Sequence, residues 1–425
     1  MSNQTNIDTG QETRADDSSF LSKSFRDEYP AILGGSPAFA DGHPFMRPTL
    51  PDWMKLADSI HQSIASGMLT KGHHLEIFEE KVARYLGVRE AVAVSSCTTG
   101  LMLVYQSLGL EGEVIVPSFT FMATVHSLMW QRVKPIFVDV DASTWNMDPD
   151  KVEARITPRT SAIVAVHVFG NPAPVEKLAA VARKHNLYLI FDAAHGFGAL
   201  HNNAPVGKYG NAEVFSTSPT KLLVTGEGGI VATNNSDLAE RIRAAREYGN
   251  PGNYDSLFPG INGRMSEISA ILGVHSLDIL EANAKMRNRI ADRYISPLAE
   301  LPGVVFQAIK SEDRSSYKDF TIRINASQLG IDRNTLRDAL AKEGIGTRTY
   351  YDPPVHRQTA YRDLVRVHKP DLPVTETLAQ EVLSLPIFSH MPFENVDNIC
   401  KVIERIHKYA EPIRGRFNTR RNTED

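Results

Sequence analysis

Two charged residues in the middle of the chain have the types and spacing to do chemistry together. Asp192 closes the apolar run in LYLIFDAAH, and Lys221 follows 29 residues later within FSTSPTKLLVTGEGGIVATNN. A carboxylate that holds the proton of a pyridine nitrogen, and a lysine that forms an imine, are the two groups that pyridoxal phosphate (PLP) requires. One segment of this chain supplies both groups, so it predicts a PLP site.

A purely structural role is the alternative for each residue taken singly. Asp192 could cap a helix, and Lys221 could be a solvated surface lysine. However, an aspartate that closes so apolar a strand is costly unless a cation pairs with it. Lys221 also lies between residues 216–220 and 225–229, where small residues let the backbone turn sharply and approach a bound group closely. These surroundings favour the chemical role.

The composition excludes several classes of protein. The chain has 425 residues, 42% of them hydrophobic and 23% charged, which is typical of a globular protein with a large and a smaller domain. The formal net charge of -4 comes without a basic stripe, so neither a nucleic acid nor an anionic membrane is an expected partner. The polar start and the lack of a long apolar stretch predict a cytoplasmic protein.

Metal and disulfide chemistry are not indicated either. Cys97 and Cys400 are the two cysteines, too few for a disulfide framework and without metal-ligand spacing. The fourteen histidines form no HExxH or similar pair. We therefore expect free thiols and no metal site.

The organisation along the chain predicts an α/β protein. Residues 1–30 are polar and predict a mobile N-terminal extension. Two amphipathic helical patterns follow from about Asp52, and then apolar runs alternate with helical stretches, which predicts a mainly parallel sheet covered on both faces. Beyond about Gly263 a long helical region opens a C-terminal domain, and the charged residues 414–425 predict a disordered tail.

Several sequence blocks, in one order, resemble the DegT/DnrJ/EryC1/StrS family of aminotransferases, which act mostly on keto sugars bound to nucleotides. The resemblance runs from about Gly34 to the 380s. The blocks are VPSFTF (116–121), VDVD (138–141), HVFGNP (167–172), SxxPTK (216–221), GEGG (226–229), GRMSE (263–267), GTR (346–348) and PPVH (353–356).

This resemblance implies a fold and an assembly. The fold is the PLP-dependent aminotransferase fold type I, with a mainly parallel seven-stranded sheet flanked by helices and a smaller α+β C-terminal domain. We place the large PLP-binding domain at residues 31–262 and the small domain at 263–413. The resemblance also implies a homodimer with active sites shared between subunits, because Asn262 matches a family asparagine that reaches the cofactor phosphate of the neighbouring subunit.

The cofactor phosphate is expected at the start of the helix after the strand AVAV. The segment SSCTTG (95–100) could present its amides there, although Ser96 or Thr98 could simply be an N-cap. The family has Gly-Thr or Ser-Thr at this position and this chain has Cys97-Thr98, so we assign Thr98 and its neighbouring amides to the phosphate, with Cys97 as a small-residue substitute. Ser216 matches the family's second phosphate hydroxyl.

The cofactor ring is expected between Phe121 and Asp192. Phe121 matches the family aromatic that stacks on the pyridine ring, whereas Phe119 is expected to be a core residue. His195 stands where most relatives have a glutamine that contacts the ring oxygen. Histidine can donate to that oxygen and also titrates near neutral pH, so a tuning role and a satisfied structural role both remain open.

The substrate cavity has less distinct signals. His356 could line it or pack a loop, and Tyr350 and Tyr351 have the same two possibilities.

The function that follows is ping-pong transamination with Lys221 as the proton-transfer base. The resemblance implies L-glutamate or glutamine as donor and a nucleotide-linked 4-keto or 3-keto hexose, such as a keto-deoxyhexose, as acceptor. A free cyclitol or other ketone is an alternative acceptor, and a PLP-binding regulatory protein without turnover is a second alternative. The sugar-dehydrating branch of the family has histidine in place of the lysine, so Lys221 argues against it.

Overall fold

The computed structural model describes residues 28–416. The apolar runs of the sequence form strands, because β-branched and aromatic side chains pack well on a pleated surface. The strands of the described chain are Glu90–Val94 (β1), Glu113–Pro117 (β2), Lys134–Val138 (β3), Thr160–Val166 (β4), Tyr188–Asp192 (β5), Leu200–His201 (β6), Ala204–Pro205 (β7), Ala212–Ser216 (β8), Gly229–Thr233 (β9), Val304–Phe306 (β10), Phe320–Ile324 (β11) and Val382–Leu385 (β12).

Seven of these strands form one sheet in the order β1-β9-β8-β5-β4-β2-β3. β3, β2, β4, β5 and β8 run parallel, and β9 lies antiparallel between β8 and β1. Alternate residues of β2 enter different cores: Val114 and Val116 face one, and Ile115 faces another. The mainly parallel, seven-stranded sheet expected from the sequence is confirmed, and it is covered on both faces.

The helices pack around this sheet and extend beyond it. Asp52 caps the first of them by accepting from the Met54 amide, which is the role expected of an aspartate at that position. The α-helices of the described chain are Trp53–Ser66 (α1), His73–Leu86 (α2), Cys97–Ser107 (α3), Ala123–Trp130 (α4), Pro149–Glu153 (α5), Val175–Lys184 (α6), Ser236–Ala245 (α7), Glu267–Leu298 (α8), Ala326–Leu329 (α9), Arg333–Lys342 (α10), Arg362–His368 (α11), Pro373–Glu381 (α12) and Phe393–Lys408 (α13).

A second, smaller α+β unit lies toward the C-terminus, as expected. Its antiparallel sheet has the order β10-β11-β12. Tyr294, Phe320, Leu340 and Ile403 are buried together in its core, so side chains from α8, β11, α10 and α13 form one cluster.

The long helix α8 connects the two units. Ala270 and Leu280 of its first half pack in a core of the large sheet, whereas Ile290 and Leu298 of its second half belong to the core of the small unit. One rigid helix therefore fixes the position of the small unit against the large sheet. The predicted division between residues 262 and 263 falls just before this helix and stays a prediction.

The two ends of the described chain meet in the small unit. Ile32 packs in its core, and the Arg416 guanidinium donates to the Ile32 carbonyl at 2.6 Å. Residues 410–416 are helical, so the tail predicted from Arg414 overlaps this helix by three residues, and residues 417–425 lie outside the described part. Most of the predicted extension 1–30 lies outside it too. Across residues 28–416, no helix combines the length and apolar character needed to cross a membrane.

Candidate active site

Asp192 is the last residue of β5, at the carboxyl edge of the parallel strands, where open α/β sheets bind their ligands. Its buried carboxylate accepts hydrogen bonds from Thr124 Oγ1 at 2.6 Å and from the Ala194 amide at 3.0 Å. Burial nevertheless raises the pKa of Asp192. These two donors therefore leave the ionised carboxylate short of the compensation that a bound cation would supply.

The loop that carries Lys221 is closed by two buried threonines. Thr217 and Thr225 share a hydroxyl hydrogen bond of 2.6 Å, and the Thr225 amide donates to the Thr217 carbonyl at 2.8 Å. A Cβ on Gly228 would lie 2.6 Å from Thr217 Oγ1 and 2.5 Å from Thr225 Oγ1, so only glycine fits beside this closure. The lysine is thus held on a short, tightly closed loop between β8 and β9.

The amine of Lys221 has no hydrogen bond or ion pair within residues 28–416. Burial lowers its pKa to about 8, and the positive charge of Lys318 acts in the same direction, while Asp319, Cys97 and Asp192 oppose the shift. The lysine is also partly exposed to solvent. It therefore has the accessibility and the lowered pKa of a reactive amine.

Helix α3 begins beside Asp192 and offers an anion site at its N-terminus. Ser96 is the N-cap, because its Oγ accepts from the Thr99 amide at 3.1 Å. Thr98 lies within the first turn, so of the two caps considered from the sequence Ser96 is the one observed. The amides of Cys97 and Thr98 belong to the first turn, whose N–H groups lack partners within the helix and face its positive end.

Ser216 lies next to this helix start through the strand pairing. It is the last residue of β8 and pairs with Gly229 of β9. A Cβ on Gly229 would lie 2.6 Å from the Cys97 amide nitrogen, so β9 passes directly against the first turn of α3. Ser216 and the first amides of α3 are thus neighbours of one glycine.

The Cys97 side chain faces the aspartate. Its Sγ lies 3.9 Å from Asp192 Oδ1 and 3.5 Å from the Val214 carbonyl. Burial and the Asp192 charge hold the pKa of the thiol well above its usual value, so it stays protonated. The part of Cys97 that is available to a phosphate is its backbone amide.

His195 follows β5 and has one nitrogen without a partner. Its Nδ1 is buried and makes no hydrogen bond within the described chain. Its ring lies nearly parallel to that of Phe169, with centroids 6.4 Å apart and planes inclined by 11°. Burial and the charges of Lys221 and Lys318 hold its pKa well below the usual value, so the imidazole is neutral. A satisfied structural histidine would not leave this nitrogen unpaired.

The two phenylalanines of SFTF lie in different environments. Phe119 is fully buried and contacts Phe169 and Tyr351 edge to face, which confirms its predicted core role. Phe121 is 51% exposed, and its carbonyl lies 3.0 Å from Thr124 Oγ1, the hydroxyl that donates to Asp192. Phe121 therefore presents an exposed aromatic ring from a backbone position near the aspartate.

Asn262 lies at the surface of the chain. It is exposed, and its backbone forms a short antiparallel bridge with Glu247. The next residue, Gly263, accepts from the Ser95 amide at 2.8 Å, which places this loop against the start of α3. Within residues 28–416, no residue forms a hydrogen bond with the Asn262 side chain.

His356 is bonded through both ring nitrogens. Its Nδ1 lies 2.7 Å from Ser118 Oγ, and its Nε2 lies 3.1 Å from Glu376 Oε1. The residue is buried, so of the two roles left open by the sequence the geometry favours loop packing. Tyr350 is half-buried, and the Lys318 ammonium lies 5.4 Å from its ring centroid. Tyr351 is buried beside Phe119, in a packing role.

Three site residues lack an obvious sequence signal. Thr124 donates to Asp192 from the first turn of α4, and a threonine two residues into a helix is not distinctive. Lys318 and Asp319 form a buried ion pair with 2.9 and 3.0 Å contacts. The signal available for this pair was two adjacent charges directly before the apolar strand β11.

The donor set fits PLP and offers no alternative metal centre. The buried Asp192, the unpaired Nδ1 of His195 and the unpartnered amine of Lys221 are three polar groups that the chain leaves incompletely satisfied around one strand edge. Among residues 28–416, no group of three His, Cys, Asp or Glu could hold a metal ion.

The fold is that of PLP-dependent sugar aminotransferases, and this set of residues fits the cofactor that the family implies. The chain belongs to the DegT/DnrJ/EryC1/StrS aminotransferase family, whose profile matches residues 54–404. The resemblance drawn from the sequence blocks is therefore confirmed, and the enzyme is of the sugar aminotransferase type.

Three similar proteins illustrate the family. The spore coat polysaccharide biosynthesis protein SpsC of Bacillus subtilis is 32% identical over 367 residues, covering 83% of this chain and 94% of its own. The UDP-N-acetyl-3-dehydro-alpha-D-glucosamine 3-aminotransferase of Acidithiobacillus ferrooxidans is 36% identical over 337 residues, covering 79% and 89%. The crystal structure of DesI with its TDP-sugar product superimposes with a TM-score of 0.84 at 38% identity, covering 93% of this chain and 100% of DesI.

Proposed function

We propose that this enzyme transfers an amino group from L-glutamate to a nucleotide-linked keto-deoxyhexose by ping-pong transamination. The observation that carries the proposal is the placement of an under-compensated carboxylate, Asp192, and an unpartnered amine, Lys221, at the same edge of the sheet. A UDP-linked sugar in one relative's name and a TDP-sugar in another's structure support a nucleotide-linked acceptor.

Each candidate residue has a task in holding PLP. Asp192 would hold the proton on the pyridine nitrogen, and the exposed face of Phe121 would lie against the ring. The amides of Cys97 and Thr98 and the hydroxyls of Thr98 and Ser216 would bind the phosphate at the positive end of α3. When bound, PLP supplies an electron-withdrawing ring that stabilises negative charge on the carbon that carries the amine.

Proton transfer falls to Lys221. Its amine would first hold the cofactor and, once released by the amino donor, would take a proton from the donor carbon. A pKa of about 8 keeps a useful fraction of this amine neutral near physiological pH, whereas an ordinary lysine is almost fully protonated there. His195, which is neutral, would donate from an imidazole nitrogen to the oxygen on the ring.

A homodimer with shared sites is part of the proposal. Asn262 is exposed in its own subunit and lies on the loop that touches the start of α3. Met129 and Trp130 leave large apolar side chains exposed on α4, with Trp130 75% exposed. Exposed apolar groups of this size are typical of interaction sites, so a second copy would cover them and bring its Asn262 to the phosphate.

The first half-reaction can be tested without an acceptor. The absorbance of the purified protein is recorded before and after L-glutamate is added, with D-glutamate as the matched control. We expect the visible band of the bound cofactor to fall and the near-ultraviolet band of its aminated form to rise with L-glutamate alone. A visible cofactor band that glutamate leaves unchanged would reject glutamate as donor, and the absence of both the visible and the near-ultraviolet cofactor bands would reject the PLP function.

The acceptor can then be tested with the aminated enzyme. A nucleotide-linked keto-deoxyhexose and a free keto-cyclitol are added separately, and return of the visible band is followed. We expect the nucleotide-linked sugar to restore the band at much lower concentration. Preference for the free ketone would replace the nucleotide-sugar proposal by the cyclitol alternative, and no return with any ketone would favour a regulatory protein.

A further inference from the structure

A second lysine is buried in a segment that contacts the active-site loops. Lys318 is only 6% exposed and Asp319 only 3%. The Lys318 ammonium lies 2.9 Å from one oxygen of the Asp319 carboxylate and 3.0 Å from the other, and it sits 5.4 Å from the Tyr350 ring centroid. Lysine is rarely buried so completely unless it is paired, and burying such a pair does not by itself stabilise a fold. The pair therefore calls for a reason other than stability.

The segment that carries this pair is fixed against the active-site loops. The Lys318 amide donates to the Phe169 carbonyl at 3.1 Å, and the Ser316 amide donates to the Gly170 carbonyl at 3.2 Å. Ser316 Oγ also donates to the His195 carbonyl at 2.6 Å. The segment belongs to the small unit, because β11 follows it directly, so the small unit places Lys318 beside the loops of the large sheet.

The same segment reaches the Lys221 loop. A Cβ on Gly198 would lie 2.6 Å from Leu222 Cδ2 and 3.9 Å from Ser316 Cβ, so the residue after Lys221 and the Ser316 segment meet at one glycine. Lys318 has no ion pair with any carboxylate other than Asp319 within residues 28–416. Asp319 is therefore the one carboxylate of the described chain that pairs with Lys318.

The charged and titratable groups that act on Lys221 come from three parts of the fold. Lys318 and Asp319 belong to the small unit, Asp192 and His195 to the end of β5, and Cys97 to α3. Burial is the main cause of the lowered pKa of Lys221 and of His195, and the charge of Lys318 lowers both further, whereas Asp319, Cys97 and Asp192 raise the pKa of Lys221. Lys318 is thus the positive charge that acts on the reactive amine.

We propose that Lys318, held by Asp319, is a positioning residue that keeps the ε-amine of Lys221 in its neutral, proton-accepting form. A fixed positive charge raises the free energy of a second positive charge nearby and leaves the neutral amine unaffected. Asp319 supplies the carboxylate that pairs with the buried Lys318 ammonium. The catalytic importance of Lys318 rests on the proposed transamination, but its effect on the protonation of Lys221 can be measured without that reaction.

The test measures the protonation of Lys221 in the full-length protein after the cofactor is removed. Acetic anhydride labels neutral amines, and the labelled fraction of the peptide that contains Lys221 is followed by mass spectrometry from pH 6 to pH 11. Lys318→Met should move the labelling midpoint of Lys221 upward by about one pH unit, because a like charge is lost and Asp319 is left uncompensated. Lys318→Arg keeps the charge and should stay close to the native midpoint.

A double variant separates electrostatics from loosened packing. Lys318→Met with Asp319→Asn removes both charges, so its midpoint should fall between those of the native protein and Lys318→Met. If the single change acted by admitting water, the double variant would move the midpoint at least as far as the single variant. Lys285→Met, which removes an exposed lysine of α8, serves as the control and should leave the midpoint unchanged.

An upward shift in Lys318→Met, an intermediate midpoint in the double variant and retention in Lys318→Arg support the proposal, and any other order overturns it. In the enzyme with cofactor, the acidic limb of the pH profile of kcat should shift upward with the labelling midpoint, which a structural role would not produce. Failure of the glutamate spectrum would instead reject the proposed function and leave the labelling result intact.

Discussion

Two histidines, His195 and His356, show how differently the same side chain is used in two regions of this enzyme. His195 lies at the active-site edge of the large sheet, with a buried Nδ1 that has no partner in the described chain. His356 lies in the short helical turn Val355–Arg357, with Ser118 bonded to one ring nitrogen and Glu376 to the other. Burial lowers the pKa of both, so charge does not distinguish them.

The difference is in hydrogen-bond satisfaction. A buried polar atom without a partner destabilises the folded chain, so it persists where a ligand completes it. The active site combines the under-compensated Asp192, the unpaired Nδ1 of His195 and the unpartnered amine of Lys221, whereas both ring nitrogens of His356 have partners. For these two histidines, the unpaired nitrogen of His195 is available to a bound group, whereas the paired nitrogens of His356 hold the chain together.

The largest effect is expected at Lys221. Lys221→Ala should remove the visible cofactor band and lower transamination at least about 10³-fold, because the base that moves the proton is lost. The fold should survive, since no hydrogen bond of the described chain depends on the amine. Activity and thermal melting are measured beside Lys285→Ala, an exposed control. Normal turnover in Lys221→Ala would show that Lys221 is not the catalytic base.

A substitution at Asp192 should separate activity from stability. The folded-state pKa of this acid is raised, so its ionisation opposes folding at pH values above that pKa, and the penalty disappears as the pH falls below its pKa in the unfolded chain. Asp192→Asn carries no such penalty. At pH 7.5 the cofactor-free variant should melt about 1–2 °C higher than the native protein, while activity falls about 100-fold.

Lower stability in this variant would show that the carboxylate is already compensated within the chain. In that case the active site and the surroundings of His356 would not differ in how well their polar groups are satisfied. The comparison is made by differential scanning calorimetry on cofactor-free protein, so that PLP binding does not contribute to the melting temperature.

Matched substitutions at the two histidines test the comparison directly. His195→Asn should lower activity about 10- to 100-fold, the worth of one charge-assisted hydrogen bond, with little change in the free energy of unfolding. His356→Asn should cost about 2 kcal/mol of stability, because asparagine cannot reach both Ser118 and Glu376, and should leave activity nearly intact at low temperature. Kinetics and denaturant unfolding give both quantities, and the reverse pattern would invalidate the distinction.

The smallest effect is expected from mixed dimers. In the proposed dimer, Asn262→Ala and Lys221→Ala chains should each be impaired alone, but a hybrid should have one site with a native Lys221 from one chain and a native Asn262 from the other. Random mixing after subunit dissociation should restore about a quarter of native activity, because about half the dimers are hybrids with one intact site. Activity no higher than the average of the two separate variants would show that sites are not shared.

The sequence anticipated the large sheet because its strands are buried on both faces. Such strands appear as near-continuous apolar runs, and β2, β4 and β5 are examples. The same logic exposed Asp192, because a carboxylate at the end of such a run conflicts with its surroundings. Lys221 was found because imine chemistry requires a lysine and small residues around it.

Other parts of the site left no such pattern. Lys318 and Asp319 are charged residues at the start of a strand, and nothing in their spacing links them to Lys221, which precedes Lys318 by 97 positions. The two roles considered for His195 and for His356 could not be separated either, because burial and hydrogen-bond partners depend on segments far away in the chain.

The sequence by itself determined the order of strands and helices, the family and the residue types that PLP chemistry needs, because periodicity and side-chain chemistry are local properties. Only the tertiary structure decided which polar atoms stay unpaired, and that a segment of the small unit brings a second buried lysine toward the first. Electrostatic effects and hydrogen-bond satisfaction depend on distances between remote segments, and those distances are fixed when the sheet, the helix α8 and the small unit pack together.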